Sequence, residues 1–187
     1  MRALDPIYDI GTLLAAIPTV TQSVPETRFV IVGDGPQRSE LEQLADSLGV
    51  TSLVRFVGRL SDKDMVRYAA SASVYVSTSL SDGGLAASTA EAMACGVPPV
   101  VTDFGDNASW VNHGVTGFLF PCSDAATLSA RLIEVLSDQD LARRLGVGAR
   151  HTIVERNNVD TEMQKVEEIY RSLSRRGHQS TELRNPK

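Results

Sequence analysis

The feature that most constrains the fold is an alternation of short apolar runs with segments of helical spacing, which predicts a parallel α/β sheet. Arg28–Gly33 (RFVIVG) reads as a buried strand ending at the turn Gly33-Asp34-Gly35-Pro36. Leu53–Val57, Val74–Ser77, Pro98–Thr102 and Gly117–Phe120 read as four more strands. Between them, Leu41, Leu44, Ala45 and Leu48 recur at helical spacing, with Gly49 where a C-cap belongs. Ser61 caps a helix carrying Met65, Tyr68 and Ala69 on one side, and Ser88–Cys95 reads as a short helix. Helices near 124–137, 138–154 and 159–174 follow, the last striped by Val159, Met163, Val166, Ile169, Tyr170 and Leu173. The pattern predicts a Rossmann-like doubly wound domain over residues 1–174, then a polar tail at 175–187 expected to be disordered.

One irregularity has a definite place. A helix near Asp9–Gln22 precedes every strand, whereas a doubly wound unit normally opens on its central strand. In the order 3-2-1-4-5-6, that strand belongs between 28–33 and 74–77. Either Met1–Leu4 is its stub, or the sequence starts inside a domain; the second is the expectation carried forward.

Composition narrows the function. A length of 187 residues suits one core, and a net charge of -5 argues against a general nucleic-acid binder. No apolar run nears the roughly 20 residues that span a bilayer, and Met1-Arg2 opens no signal peptide. Two cysteines, Cys95 and Cys122, lack metal-ligand spacing, so reduced thiols and a cytoplasmic location are expected.

The chemistry concentrates in residues 77–121, STSLSDGGLAASTAEAMACGVPPVVTDFGDNASWVNHGVTGFLFP. Ser88 followed by Glu91 matches a capping box, which predicts a helix start there. Gly83, Gly84, Ala86 and Ala87 just upstream permit close approach to the backbone. Amides and dipole at a helix start suit a phosphate, and the carboxyl end of a strand is where open α/β sheets bind ligands. The same residues also serve a plain turn and a plain cap, and spacing alone leaves both readings open.

This stretch resembles the signature of the family-4 group of retaining glycosyltransferases, proteins of the two-domain GT-B fold. Glu91-Ala92-Met93-Ala94-Cys95-Gly96, with Pro98 and Val100, is similar to its strongest motif. Asp103, Gly105, Asn107, Gly114, Gly117, Phe118 and Pro121 continue the likeness, as do Val32–Pro36 and Val54–Gly58 upstream. The resemblance reaches about residue 172.

It implies the nucleotide-sugar-binding (C-terminal) half of a transferase, acting on a UDP- or GDP-sugar with retention and without a metal or other cofactor. By it, Glu91 accepts hydrogen bonds from ribose hydroxyls, Ala86, Ala87 and Ser88 meet the diphosphate through their backbone, and Gly58 and Arg59 lie beside the base. Arg2 matches an arginine that pairs with the diphosphate, and a guanidinium suits that task. Two positions depart from the pattern. Tyr8 stands where the family has a lysine, and Gly83 stands where it has the first of two acids with seven residues between them. Asp82, one residue earlier, takes that role if the loop bulges by one. The resemblance also implies that an N-terminal domain, in cis or as a separate chain, carries the acceptor site, any catalytic histidine and any membrane contact. It implies too that the last helix crosses toward that domain.

Other motifs carry less. Asp62-Lys63-Asp64 mimics a metal-binding DxD but follows Ser61 in a first helical turn, where acids complement the dipole. His113 reads as loop, His151 as surface, Trp110 as a packing anchor, and Asn107-Ala108-Ser109 as an acceptor sequence without a secretory signal. The rival function is a non-catalytic module that binds nucleotide sugars or docks onto a separate half. A GT-B sugar-nucleotide epimerase is a third reading, and the motif at 91–96 argues against it.

Overall fold

The computed structural model describes residues 3–81 and 83–182, with side chains through residue 173. A 3-10 turn at Pro6–Tyr8 leads into α1 (Ile10–Ser23), then β1 (Phe29–Val32), α2 (Arg38–Ser47) and β2 (Val54–Gly58). α3 (Asp62–Ser71), β3 (Tyr75–Ser77), α4 (Ala87–Ala94) and β4 (Pro99–Thr102) follow. The chain continues through α5 (Asn107–Trp110), β5 (Phe118–Phe120), α6 (Ala125–Ser137), α7 (Gln139–Arg156) and α8 (Val159–Glu182). Contacts divide it into two units, Met1–Thr152 and Ile153–Lys187.

Within the first unit every strand pairing is parallel. β1 pairs with β2, from Phe29 opposite Val54 to Val32 opposite Gly58, with a register shift after Ile31. β4 lies between β3 and β5, with Val100 opposite Val76 on one side and Phe118 on the other. The described residues thus form a two-stranded and a three-stranded sheet. Together they reproduce the order β2-β1 and β3-β4-β5 of a doubly wound unit, with the central position between β1 and β3 unfilled by any strand of the described chain. Leu4 is no strand stub: its N–H donates to the Asp34 carbonyl and its carbonyl accepts from Gln37, while Met1 and Arg2 lie outside the described residues.

The core follows from the helical stripes. Leu13, Ile17 and Val20 recur on one face of α1 and, with Leu14, pack with Leu128 and Leu132 of α6 and Val100 of β4. α1 touches both α2 and α6. Two glycines are dictated by backbone approach. A Cβ on Gly35 would stand 2.5 Å from the Leu4 carbonyl oxygen, and one on Gly146 in α7 would overlap the carbonyl oxygen of Gly96. Gly96 itself closes α4 in the left-handed region, at φ 77°.

α6 is capped by Asp124, whose carboxylate accepts from Thr127 Oγ1 at 2.6 Å and from the Thr127 amide at 2.9 Å. These bonds, the side-chain one foremost, hold the Asp124 carboxyl below the ordinary carboxylate range. A folded-state pKa below the unfolded one means stabilisation that is present above the unfolded value, about 3.9, and lost as pH falls through the folded value. Asp124→Asn keeps a capping acceptor and removes the titration. The stability difference between wild type and variant is therefore expected to be constant above about pH 5 and to change only in the acid limb, measured by urea unfolding across pH.

Two sequence expectations need correction. The polar stretch from residue 175, expected to be disordered, continues α8 as helix to Glu182, and residues 183–187 lie outside the described residues. A one-turn helix also forms at Asn107–Trp110, where none was expected. Asn107 there is buried and donates to the Thr102 carbonyl at 3.0 Å, which suits a structural asparagine and not a glycan acceptor.

Candidate functional site

The carboxyl ends of the strands share one edge, drawn together by the segment Leu4–Asp9. Leu4 bonds Asp34 beyond β1, the Ile7 carbonyl accepts from the Leu80 amide beyond β3, and the Tyr8 carbonyl accepts from Thr78 Oγ1 at 2.6 Å. Asp9 accepts from Ser123 Oγ beyond β5 at 2.8 Å. Thr102 at the end of β4 donates its hydroxyl to the Ser79 carbonyl at 2.6 Å. The edge has a fixed floor from which the β3–α4 loop rises.

That loop carries most of the residues singled out from sequence. Gly83 and Gly84 sit in it, and a Cβ added to either would meet nothing within 4 Å. Among the described residues, nothing packs where those side chains would stand. Asp82 lies outside the described residues, as does Arg2. Ala86 is the N-cap of α4 and makes no side-chain cap bond, and Ala87 is the first helical residue.

The expected capping box is not formed. Ser88 lies inside the first turn instead of at the cap, and its hydroxyl bonds the Tyr75 hydroxyl of β3 at 2.8 Å. With the box absent, Glu91 is an exposed carboxylate one turn into α4 that, with Ser88, borders a cavity running beneath the loop. Removing the cap explanation leaves Glu91 without the plain structural duty that sequence had allowed it.

Gly58 ends β2 on the β1–β2 sheet and Arg59 follows it, apart from the β3–α4 loop in the strand order. Gly58 has φ 69° and its carbonyl accepts from Gly33 at 2.9 Å, while Arg59 is exposed. Sequence reasoning missed Arg38, whose guanidinium stands 3.5 Å from where a Gly58 Cβ would be. It pairs with Glu42 at 2.9 Å and donates to the Phe56 carbonyl at 3.4 Å. The available signal was a cation two residues after the turn at Gly33–Pro36.

The motifs set aside in the sequence make local contacts. Ser61 Oγ caps α3, accepting from the Asp64 amide at 3.2 Å and donating to the Asp64 carboxylate at 2.7 Å. Trp110 Nε1 donates to Asp106, and His113 Nδ1 accepts from the Leu119 amide while its ring meets Phe118 edge-on. Burial, followed by the Asp9 carboxylate, pushes the Cys122 thiol up and so keeps it protonated. Among the described residues there is no group of three His, Cys, Asp or Glu placed to hold a metal, and no helix long and apolar enough to cross a membrane.

Parallel strands ordered around a central crossover position, with a glycine-bearing loop opening a helix at their carboxyl edge, define a Rossmann-like unit of the kind that forms half of a GT-B protein. The chain belongs to the family described as glycosyl transferases group 1, whose model matches residues 1–152. It is similar to N-acetyl-alpha-D-glucosaminyl L-malate synthase of Bacillus anthracis, at 29% identity over 93% of this chain and 44% of that protein. It is 35% identical to the GDP-mannose-dependent monoacylated alpha-(1-6)-phosphatidylinositol monomannoside mannosyltransferase of Corynebacterium glutamicum, over 74% of this chain and 36% of that one. The Anabaena protein Alr3699/HepE, solved with UDP-glucose, superposes with a TM-score of 0.83 at 26% identity, over 92% of this chain and 47% of that one. The chain thus spans less than half the length of these relatives. It is a glycosyltransferase domain.

Proposed function

We propose that this chain binds the nucleotide-sugar donor of a retaining glycosyltransferase at the carboxyl edge of β3. The observation that carries the reading is the β3–α4 loop. Its two glycines stand where a side chain would meet nothing within 4 Å, the helix start that follows has no side-chain cap, and Glu91, one turn into α4, is exposed. A pyrophosphate seated on the backbone of Ala86–Ser88 would meet the positive end of the α4 dipole. Glu91, one turn on, would accept from a ribose hydroxyl pair. The small residues at 83 and 84 admit the donor sugar, with Asp82 as the acid directed to it. Arg2 would supply a guanidinium to the diphosphate, and Gly58 with Arg59 would flank the base.

Support comes from the relatives: Alr3699/HepE is solved with UDP and UDP-glucose, and one matched mannosyltransferase is named as GDP-mannose-dependent. Catalysis in this reading rests on positioning and on dipoles and cations aimed at the leaving diphosphate, with no metal. Acceptor recognition belongs outside the matched region, so the chain by itself binds donor and transfers nothing.

Titration calorimetry with UDP and with GDP tests the reading. Glu91→Ala is expected to weaken nucleotide binding by about 1–3 kcal/mol, roughly 5- to 150-fold, through loss of charge-assisted hydrogen bonds. Because no cap depends on Glu91, the melting temperature should hardly move. Equal affinity in variant and wild type removes Glu91 from the ribose site. Absence of heat with either nucleotide at millimolar concentration, in folded protein, ends the donor-site reading.

A further inference from the structure

One side chain, Arg38, ties the start of α2 to the end of β2. Its Nε donates to Glu42 at 2.9 Å, one turn further along α2. That pairing alone would leave the guanidinium on the helix surface. A second bond draws it across: Nη2 donates to the Phe56 carbonyl of β2 at 3.4 Å. Nη1, the third nitrogen, has no hydrogen-bond acceptor among the described residues. Asp34 Oδ1 stands 3.9 Å from it and already accepts from the Gly35 amide at 2.9 Å. Nη1 lies instead beside Gly58, 3.5 Å from where a Cβ of that residue would stand. Gly58 itself follows a bulge, since Ile31 pairs with Phe56 but Val32 pairs with Gly58, and it sits at φ 69°. A bulge bends its strand and re-aims what comes next. The carboxyl end of β2 thus presents a glycine without a side chain, bordered by a partly exposed guanidinium with N–H groups to spare.

We infer that Arg38 is a specificity-determining residue that selects a nucleobase bearing a ring carbonyl, uracil or guanine, over one bearing an amino group there, cytosine or adenine. The inference rests on the donor reading above, in which Gly58 and Arg59 flank the base, and it names which bases that subsite takes. The chemistry is one of matching donors to acceptors. A guanidinium donates through every nitrogen and accepts through none. O4 of uracil and O6 of guanine are acceptors, whereas N4 of cytosine and N6 of adenine are donors. A carbonyl at Gly58 receives an N–H from Nη1 and lies against a positive charge. An amino group at the same place meets donor with donor, and neither is satisfied. The remaining bonds of Arg38 matter to this selection. Held by Glu42 and by the Phe56 carbonyl, the fork cannot turn an acceptor toward the base, because it has none, and its position is fixed before a ligand arrives.

The test is calorimetric titration of the full chain with UDP, CDP, GDP and ADP. UDP and CDP form the deciding pair, since they differ only in the group at ring position 4 and the proton on the adjacent nitrogen. Wild type is expected to bind UDP about tenfold more tightly than CDP, and GDP more tightly than ADP in similar proportion. Arg38→Met keeps most of the apolar reach and removes the donors. It is expected to bring the UDP to CDP ratio within about twofold, chiefly by weakening UDP. A wild-type ratio near one overturns the inference and leaves the donor site standing, as does a tenfold ratio that survives Arg38→Met. Equal weakening of all four nucleotides in the variant marks a purely structural arginine and overturns it too. Silence with all four nucleotides in folded wild type removes the donor reading and this inference together. Should Arg38→Met fail to fold, the wild-type comparison of UDP with CDP still decides.

Discussion

Leu14→Ala is expected to cost about 2–5 kcal/mol of unfolding free energy in urea denaturation, one of the two largest effects anticipated for this chain. Leu14 is 0% exposed in α1 and belongs to the cluster that joins Leu128 and Leu132 of α6 to Val100 of β4. Truncation removes apolar contact on several sides at once, and the surrounding helices cannot collapse fully into the space. Small domains hold only about 5–15 kcal/mol in total, so a loss at the upper end leaves a partly unfolded population at 25 °C. A cost below about 1 kcal/mol would mean that α1 is not seated in the core as described.

Gly146→Val is expected to destabilise the chain by about 3 kcal/mol, for the opposite reason. Glycine inside a helix ordinarily costs about 0.5–1 kcal/mol relative to alanine, so a free position in α7 would gain from replacement. At Gly146 an added Cβ overlaps the Gly96 carbonyl oxygen and stands 3.0 Å from the Gly96 carbonyl carbon. Both obstacles are backbone, and Gly96 is held at φ 77°, so neither yields by a rotamer change. Gly146→Ala sets the sign: it should destabilise despite better helix propensity. A melting temperature raised by Gly146→Ala would show that α7 does not rest on the Gly96 turn. Gly96 belongs to the motif that carried the family resemblance, and its role here is closure of α4 and close packing on α7. That part of the motif is architecture.

Much of this architecture was legible because periodicity reports burial directly. The Leu41, Leu44, Ala45 and Leu48 spacing became α2 with Gly49 at φ 68° just past it, and Ser61 caps α3 as its position implied. The unfilled central position was legible too, since a helix ahead of the first strand conflicts with the usual strand order. What failed depended on partners distant in sequence. The hydroxyl of Ser88 found Tyr75, thirteen residues upstream, and the capping box with Glu91 was lost to it. The continuation of α8 past residue 174 was masked by polar composition, which signals solvent exposure more reliably than it signals loss of helix. α5, a single turn, is too short to show a period. In the candidate site, the β3–α4 loop and Glu91 were found from spacing and resemblance. Arg38 was not, because its approach to Gly58 depends on β1 and β2 lying side by side.

No ladder joins β1 to β3, and the two half-sheets are held together by α1, which touches α2 and α6, and by the segment Leu4–Asp9 at their carboxyl ends. Gly58 ends β2 and Glu91 follows β3, so a molecule that touches both spans the segment Leu4–Asp9, which bonds the carboxyl ends of the two half-sheets.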